Sequence, residues 1–531
     1  MNLRLVSGLL GTVSWLIGLT MAFSLPAAWP KFGGQSEFES EGFGALIISI
    51  LVCGVTGLIL RFYGRHAQET LYRKEAMAVV GLSWVMATIL GAIPFYWSEV
   101  VFRSEAGQAV PMGIAECLFE SQSGFSTTGA TVLTDIENPD WVPRCLLFWR
   151  SSTHFLGGLG IIVLFVAVLG QGSAGKAMMR AEMPGPSKEG SQARMQHTAL
   201  NFAAIYCFLN LLLTVLLKLE GMTWFEALCH AFGTMATGGF STLNASLGGF
   251  ESRLPDSYRA IEYTVIVFMI LAGTNFTLLY FFLLGKPLKL LKDPEWRTYA
   301  GIIAIATLAV VLIGQGPMDV VPPDDPNAMA DYETALRDGL FQVVSILTTT
   351  GYGTDDFDLW STFSRALLIL LMFVGGCAGS TGGGMKVIRH ILFVKILRRE
   401  IEHSFHPSVV RHIRLGGESI TDADLARNIL VYFGLIGLIS ATSWLAIVGV
   451  EPDSTWTKAG FSESNKLIDS ASAVTATLHN IGPGLGIVGA TQNYAAFSAP
   501  AKLLFTFLMM LGRLELFAIL VLVSPNFWQN R

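Results

Sequence analysis

Charge is scarce in this chain. Only 14% of its 531 residues are Asp, Glu, Lys or Arg, against about 25% in a soluble domain. So few ionic groups cannot clothe a water-exposed surface, which excludes an ordinary soluble protein. With 52% hydrophobic residues and a mean hydropathy of +0.52, the chain reads as an integral membrane protein. Paired cysteines are lacking too. Cys53, Cys117, Cys145, Cys207, Cys229 and Cys377 lie scattered through apolar stretches without a Cys-x-x-Cys pair. That excludes a zinc ribbon and a disulfide framework and leaves small buried hydrophobes. No small-x-small cleavage pattern closes the first apolar run, about 3–25, and only Arg4 precedes it. The run reads as a retained helix rather than a secretory signal.

What is present is a series of long apolar stretches. A membrane span needs roughly 20 apolar residues, and ten segments qualify: about 3–25, 43–60, 76–97, 144–170, 198–219, 258–284, 299–314, 363–394, 426–449 and 500–523. Basic residues follow every second span: Arg61, Arg65, Arg73 and Lys74; Lys176, Arg180, Lys188 and Arg194; Lys286, Lys289, Lys292 and Arg297; Lys395, Arg398, Arg399, Arg411 and Arg414. The opposite loops carry Glu37, Glu39, Glu41, Asp135, Glu137, Asp140, Asp319, Asp324 and Asp325. The positive-inside rule then puts both termini in the cytoplasm. The expected fold is an all-α integral membrane protein of ten transmembrane helices.

Within that series one unit recurs four times. After a two-helix hairpin at 1–74, the repeats cover 75–180, 181–297, 298–415 and 416–531. Each has a span, a half-span too short to cross, a polar glycine-containing loop and a second span. The half-spans, about 112–125, 223–235, 333–347 and 467–478, read as re-entrant pore helices around one central pore, since irregular backbone at membrane depth must be enclosed by protein or line a wet cavity. Taking Gly129, Gly238, Gly351 and Gly482 as equivalent gives spacings of 109, 113 and 131 residues, a repeat signature.

The third loop, Thr349-Thr350-Gly351-Tyr352-Gly353, differs by one side chain from the Thr-Val-Gly-Tyr-Gly loop whose carbonyls coordinate potassium in potassium channels. A ring of carbonyls needs backbone conformations that suit glycine, and neighbouring threonines add hydroxyl oxygens. The candidate filter residues are Thr127, Thr128 and Gly129; Thr237, Gly238 and Gly239; Thr349, Thr350, Gly351 and Tyr352; and Asn480, Ile481 and Gly482. No carboxylate ring accompanies them, which favours a weakly held monovalent cation over calcium. A single Thr-Gly pair would say only that two helices pack closely; four at matching places say more.

Span eight is interrupted by Gly375, Gly376, Gly379, Gly382, Gly383 and Gly384, each costing a helix about 1 kcal/mol relative to alanine. This stretch, with Ser380, Thr381 and Lys386, is expected to unwind beneath the third loop and obstruct the cytoplasmic side. Its alternative is a flexible surface linker. Arg513 sits within span ten, where a buried arginine needs a wet cavity or a partner. It is read as a closed-state plug, the alternative being a static ion pair.

These residues resemble the Trk/Ktr/HKT superfamily of potassium transporters, and within it the bacterial TrkH/TrkG membrane subunits, over nearly the whole chain. The stretches carrying the likeness are Ser123 to Ala130, Trp149-Arg150 through Gly157 to Gly160, Gly238 to Thr242, Thr349 to Gly353, Asn480 to Gly486, and Gly512-Arg513-Leu514-Glu515. The extra N-terminal hairpin is similar to TrkH rather than KtrB, which lacks it. The resemblance implies potassium uptake in a bacterial inner membrane, a homodimer with one pore per subunit, and an intramembrane gating loop at 375–386. It also implies a TrkA-like cytosolic nucleotide-binding ring as regulator, so that ATP/ADP or NAD acts only through that partner. Potassium is then the substrate, and neither a covalent cofactor nor nucleic acid is expected. Plant sodium-conducting relatives carry Ser at the first filter position, where this chain has Gly129, which favours potassium.

Two other classes compete. A symporter coupling potassium to sodium or protons would use midplane carboxylates, and Glu75, Glu116, Glu120, Glu226, Glu262 and Glu515 lie in or near apolar segments. An intramembrane enzyme would use His154 or His479 with a serine, for which the spacing offers no support. Gly484 to Gly489 matches a dinucleotide fingerprint by letter only, lacking a strand before it. Gly379-Ser380-Thr381-Gly382 lacks the ending of a phosphate loop, and Asn244-Ala245-Ser246 spells a glycosylation sequon. Basic residues at 285–297 and 386–414 are candidate docking surfaces for a soluble regulator, or simply the positive-inside signal.

Overall fold

The computed structural model describes residues 1–33, 37–65, 72–105, 108–160, 192–314, 332–406, 413–415, 418–420, 423–514 and 516–529. Helices α1 (Leu3–Ala22) and α2 (Ser40–Gly64) pair through small residues. Gly8 lies against Gly64 and Gly11 against Gly57, and Ser14 donates its hydroxyl to the Cys53 carbonyl at 2.8 Å. Close backbone approach is how helices associate where lipid removes the hydrophobic drive. Helix α3 (Arg73–Trp97) and a short β-hairpin, Val101–Glu105 with Gln108–Pro111, lead into α4 (Ile114–Phe125).

The order continues through α5 (Arg144–Leu159), α6 (Gln192–Leu219), α7 (Trp224–Met235), α8 (Tyr258–Ala272), α9 (Phe276–Leu283) and α10 (Leu288–Lys292). It ends with α11 (Pro294–Ala309), α12 (Tyr332–Leu347), α13 (Thr362–Met372), α14 (Val387–Phe405), α15 (Ala423–Val450), α16 (Lys466–Leu478), α17 (Ala499–Arg513) and α18 (Phe517–Val523). Among the described residues, six helices are long and apolar enough to cross a membrane: Leu3–Ala28, Ser40–Gly64, Lys74–Trp97, Ala199–Leu219, Pro294–Ile313 and Ala426–Val450.

Three stretches expected as single spans are broken. Residues 258–284 form α8 and α9, bent by 110°. The break falls at Gly273-Thr274-Asn275, where the Asn275 side chain caps the new helix by accepting from Thr277 N–H at 2.8 Å. Residues 363–394 form α13 and α14 with the glycine-rich stretch between them, and 500–523 form α17 and α18 about Leu516, whose φ is +69°. The expected span 144–170 is helical to Leu159; its remainder, with Lys176, Arg180 and Lys188, lies outside the described residues.

Candidate functional site

Helices α4, α7, α12 and α16 end alike. The N–H groups of Thr127, Thr237, Thr349 and Asn480 bond the carbonyls three residues back at 3.1, 3.0, 3.1 and 3.3 Å. Those of Thr128, Gly238, Thr350 and Ile481 bond the carbonyls five back at 2.9, 2.7, 2.8 and 2.9 Å. This is the Schellman ending, whose turning residue takes left-handed φ and is usually glycine. Here it is Thr127, Thr237, Thr349 and Asn480, with φ of 53°, 53°, 60° and 57°. A β-branched residue in that region is strained, and such strain concentrates at functional sites.

Two residues further on, Gly129, Gly239, Gly351 and Gly482 again have positive φ, 78°, 77°, 79° and 98°. The equivalence taken from sequence was therefore off by one in the second loop: Gly239, not Gly238, matches the other three. Gly238 is small for a different reason, because a β-carbon there would strike the His154 ring. Alternating φ signs turn successive peptide planes the same way and line their carbonyls along one edge.

The four loops close on one another. A β-carbon on Gly129 would collide with the Gly238 carbonyl, on Gly239 with that of Thr350, on Gly351 with that of Ile481, and on Gly482 with that of Thr128, under 3.0 Å in all four cases. Each glycine thus rests on the middle carbonyl of the next loop, and the fourth rests on the first. All four glycines line one cavity, together with Arg150, Ser241, Asn244, Gln492 and Tyr494 among others.

Side chains brace each seam. The His154 Nδ1 bonds Gly124 O at 2.8 Å and its Nε2 accepts from Phe240 N–H at 3.2 Å, joining loops one and two. The Tyr352 hydroxyl reaches Phe240 O and His230 O at 3.2 and 3.3 Å, so the Tyr-Gly pair of the third loop ties it to the second. The Asp358 carboxylate accepts from Gly486 N–H at 3.0 Å between loops three and four. Burial pushes that carboxyl up to about 6, against the pull of the Gly486 bond and with repulsion from Asp356 and Asp469. Tyr494 closes the ring, donating its hydroxyl to Gly482 O and its N–H to Thr131 O, both at 2.8 Å. His230 Nε2 lies 3.0 Å from the Ser241 hydroxyl, a pairing the sequence did not reveal; both are buried struts behind the second loop. The Asn244 amide is held by Asp135 at 2.8 Å.

Several buried charges are paired. Arg150 Nε meets Glu120 at 2.5 Å and its Nη1 donates to Ser241 O at 3.2 Å. Arg337 meets Glu262 at 2.6 Å, Lys502 meets Glu116 at 2.8 Å and Arg253 meets Glu226 at 2.9 Å. Glu75 accepts from Asn2 N–H at 3.1 Å; Glu515 lies outside the described residues. The sequence flagged these carboxylates without their partners. Arg150 with Glu120 was the findable pair, since a charge at membrane depth demands one.

Below the loops lies the glycine-rich stretch, mostly buried rather than a surface linker. Gly383 N–H donates to the Thr349 hydroxyl at 2.7 Å. Gly383 and Gly384 approach His479 O, and Gly382 approaches Thr348 O. Gly376 O accepts from Val387 N–H, Gly379 O from Phe276 N–H, and Ser380 sits at the bend against Gly376. Lys386 does not reach into open space: its ammonium caps the carbonyls of Gly382 and Gly383. Arg513 donates to Thr381 O at 2.7 Å and to Gly157 O, clamping the stretch to α5.

A family profile for TrkH, described as a cation transport protein, matches residues 45–530. The chain is 34% identical over 538 residues to the Trk system potassium uptake protein TrkH of Salmonella typhimurium and to that of Escherichia coli strain K12, covering 100% of each chain. It is 28% identical over 536 residues to TrkG of the same Escherichia coli strain, covering 100% of this chain and 99% of the other. The crystal structure of the potassium transporter TrkH from Vibrio parahaemolyticus matches with a TM-score of 0.80 at 30% identity, over 100% of both chains. The chain belongs to the TrkH family.

Proposed function

We propose that this TrkH-family chain takes up potassium through one pore at the centre of the four loops, as a transporter and not an enzyme. The observation that carries this reading is the closed ring of alternating-φ loops, each glycine seated on the next loop's carbonyl. Such a ring offers oxygen ligands without fixed charge, which suits a monovalent cation that must both enter and leave. The filter then comprises residues 127–129, 237–239, 349–352 and 480–482, with the negative ends of four half-helices directed toward it. The relatives' names supply potassium as the ion, and Gly129 agrees.

The stretch 375–386 acts as the gate in this reading, supported by its burial against Thr349 and His479 and by the Arg513 clamp. The four repeats are pore units, with the 1–74 hairpin packed beside them. From the family come a homodimer in a bacterial inner membrane, termini in the cytoplasm, and a TrkA-like nucleotide-binding regulator docking on the basic segments at 285–297 and 386–414. The symporter alternative loses ground, because Glu75, Glu116, Glu120, Glu226 and Glu262 are all engaged by protein groups.

The test is rubidium flux into liposomes against sodium competition. Wild type or, if the gate is shut, Arg513→Ala should prefer potassium, and Gly351→Ser should lose most of that preference. Selectivity untouched by Gly351→Ser would sink the filter assignment.

A further inference from the structure

The breaks in spans six and eight are knitted to each other. Carbonyls freed where α8 ends are taken up by the glycine stretch: Gly273 O accepts from Cys377 N–H at 2.9 Å, and Ala272 O accepts from the Thr381 N–H and hydroxyl at 3.3 and 3.2 Å. In return Gly379 O accepts from Phe276 N–H at 3.0 Å, at the start of α9. From α9 the chain passes through the short α10 to Asp293, which caps α11 by accepting from Trp296 N–H at 2.9 Å. Two residues later stands Glu295, a carboxylate only 7% exposed. Its Oε1 accepts from Ala378 N–H at 2.7 Å and from Ile388 N–H at 3.0 Å. The first belongs to the glycine stretch, the second to the uncapped first turn of α14, where an anion is favoured by the helix dipole. One carboxylate therefore fastens both ends of the last part of the stretch to the start of α11.

We propose that Glu295 is a positioning residue for gating: it pins the glycine stretch in its obstructing place and links it to the basic 285–293 segment. A regulator that shifts that segment acts on the gate by withdrawing this carboxylate. The inference rests on the proposed gating role of the stretch. It assigns Glu295 no contact with the permeating ion. Its side chain is directed at two backbone N–H groups that, without it, are left buried and unsatisfied.

Cys377, fully buried within the stretch, reports its release directly. In purified full-length protein in liposomes, maleimide labelling is followed site by site by mass spectrometry for wild type, Glu295→Gln, Glu295→Asp and Glu295→Ala, with rubidium flux measured in parallel. Cys377 of Glu295→Ala should label at least about tenfold faster than wild type, the scale set by losing an acceptor shared by two buried donors. Glu295→Gln, whose amide oxygen still accepts both bonds, should stay near wild type, and Glu295→Asp, one methylene too short, should fall between. Unchanged labelling in Glu295→Ala overturns the proposal, as does equal acceleration in the Gln and Ala variants. Buried Cys145 in α5 monitors general unfolding; if it too is unmasked in Glu295→Ala, the Asp variant is judged by the same criterion. Exposure of Cys377 in Glu295→Ala without a rise in flux over wild type would overturn the gating role and leave Glu295 a structural joint only, whereas flux absent from every variant would count against the pore.

Discussion

At the scale of single residues, the environment of the proposed filter is set by neutralisation. Arg150 is 2% exposed, lines the cavity over the four glycines and stands 3.3 Å from the Phe240 ring centroid. An unbalanced cation there would repel an entering ion. Glu120 balances it, and its oxygens also accept from the Thr131 hydroxyl at 3.0 Å and Val132 N–H at 3.1 Å. Glu120→Gln should therefore cost about 3–5 kcal/mol of stability, the usual penalty for orphaning one member of a buried pair. It should also slow cation entry. Thermal unfolding and rubidium flux would register both, and adding Arg150→Gln should recover part of each; a double variant no better than the single would refute the pairing argument.

At the scale of elements, broken helices matter more than whole ones. Asn275 starts α9 at the bend that holds the glycine stretch, and removing a side-chain cap costs a helix about 1 kcal/mol. Asn275→Ala should loosen the contact between Phe276 N–H and Gly379 O and raise flux of the purified protein about fivefold; unchanged flux would mean the bend does not restrain the proposed gate. Such features divide what the sequence disclosed from what it hid. The half-helices, the glycine-rich interruption and the four loops could be read because composition marks them: short apolar runs, then Thr-Gly. The bend in 258–284 could not, because one Gly and one Asn within an apolar run rarely break it, and what stabilises the break comes from residues a hundred positions away. The choice between Gly238 and Gly239 was hidden similarly. Two adjacent glycines look alike in sequence, and only the His154 ring against one and the left-handed φ of the other separate them. Glu295 and Tyr494 carried no local signal at all.

At the scale of the whole molecule, four carboxylates of the apolar segments sit in ion pairs, three of them on the half-helices themselves: Glu116 and Glu120 on α4, Glu226 on α7, and Glu262 on α8 with Arg337 of α12. Of the carboxylates in or near the apolar segments, Glu116, Glu120, Glu226 and Glu262 are thus tied up in ion pairs rather than held ready to cycle a coupling proton. Rubidium uptake driven by a potassium gradient alone should persist when the pH gradient is collapsed and sodium is omitted; abolition by either change would restore the symporter. The ring of loops has a further consequence, one of timing. Asn480 of the fourth loop donates to the Thr128 hydroxyl of the first across 352 positions of sequence, so the first loop is finished only when the last arrives. At about 5–20 residues per second of synthesis, the early half-helices wait roughly twenty seconds to a minute in the bilayer with one flank bare. The nascent chain must be sheltered during that interval, by its own N-terminal hairpin or by the insertion machinery, and truncations that spare the first three loops should be degraded rather than leak.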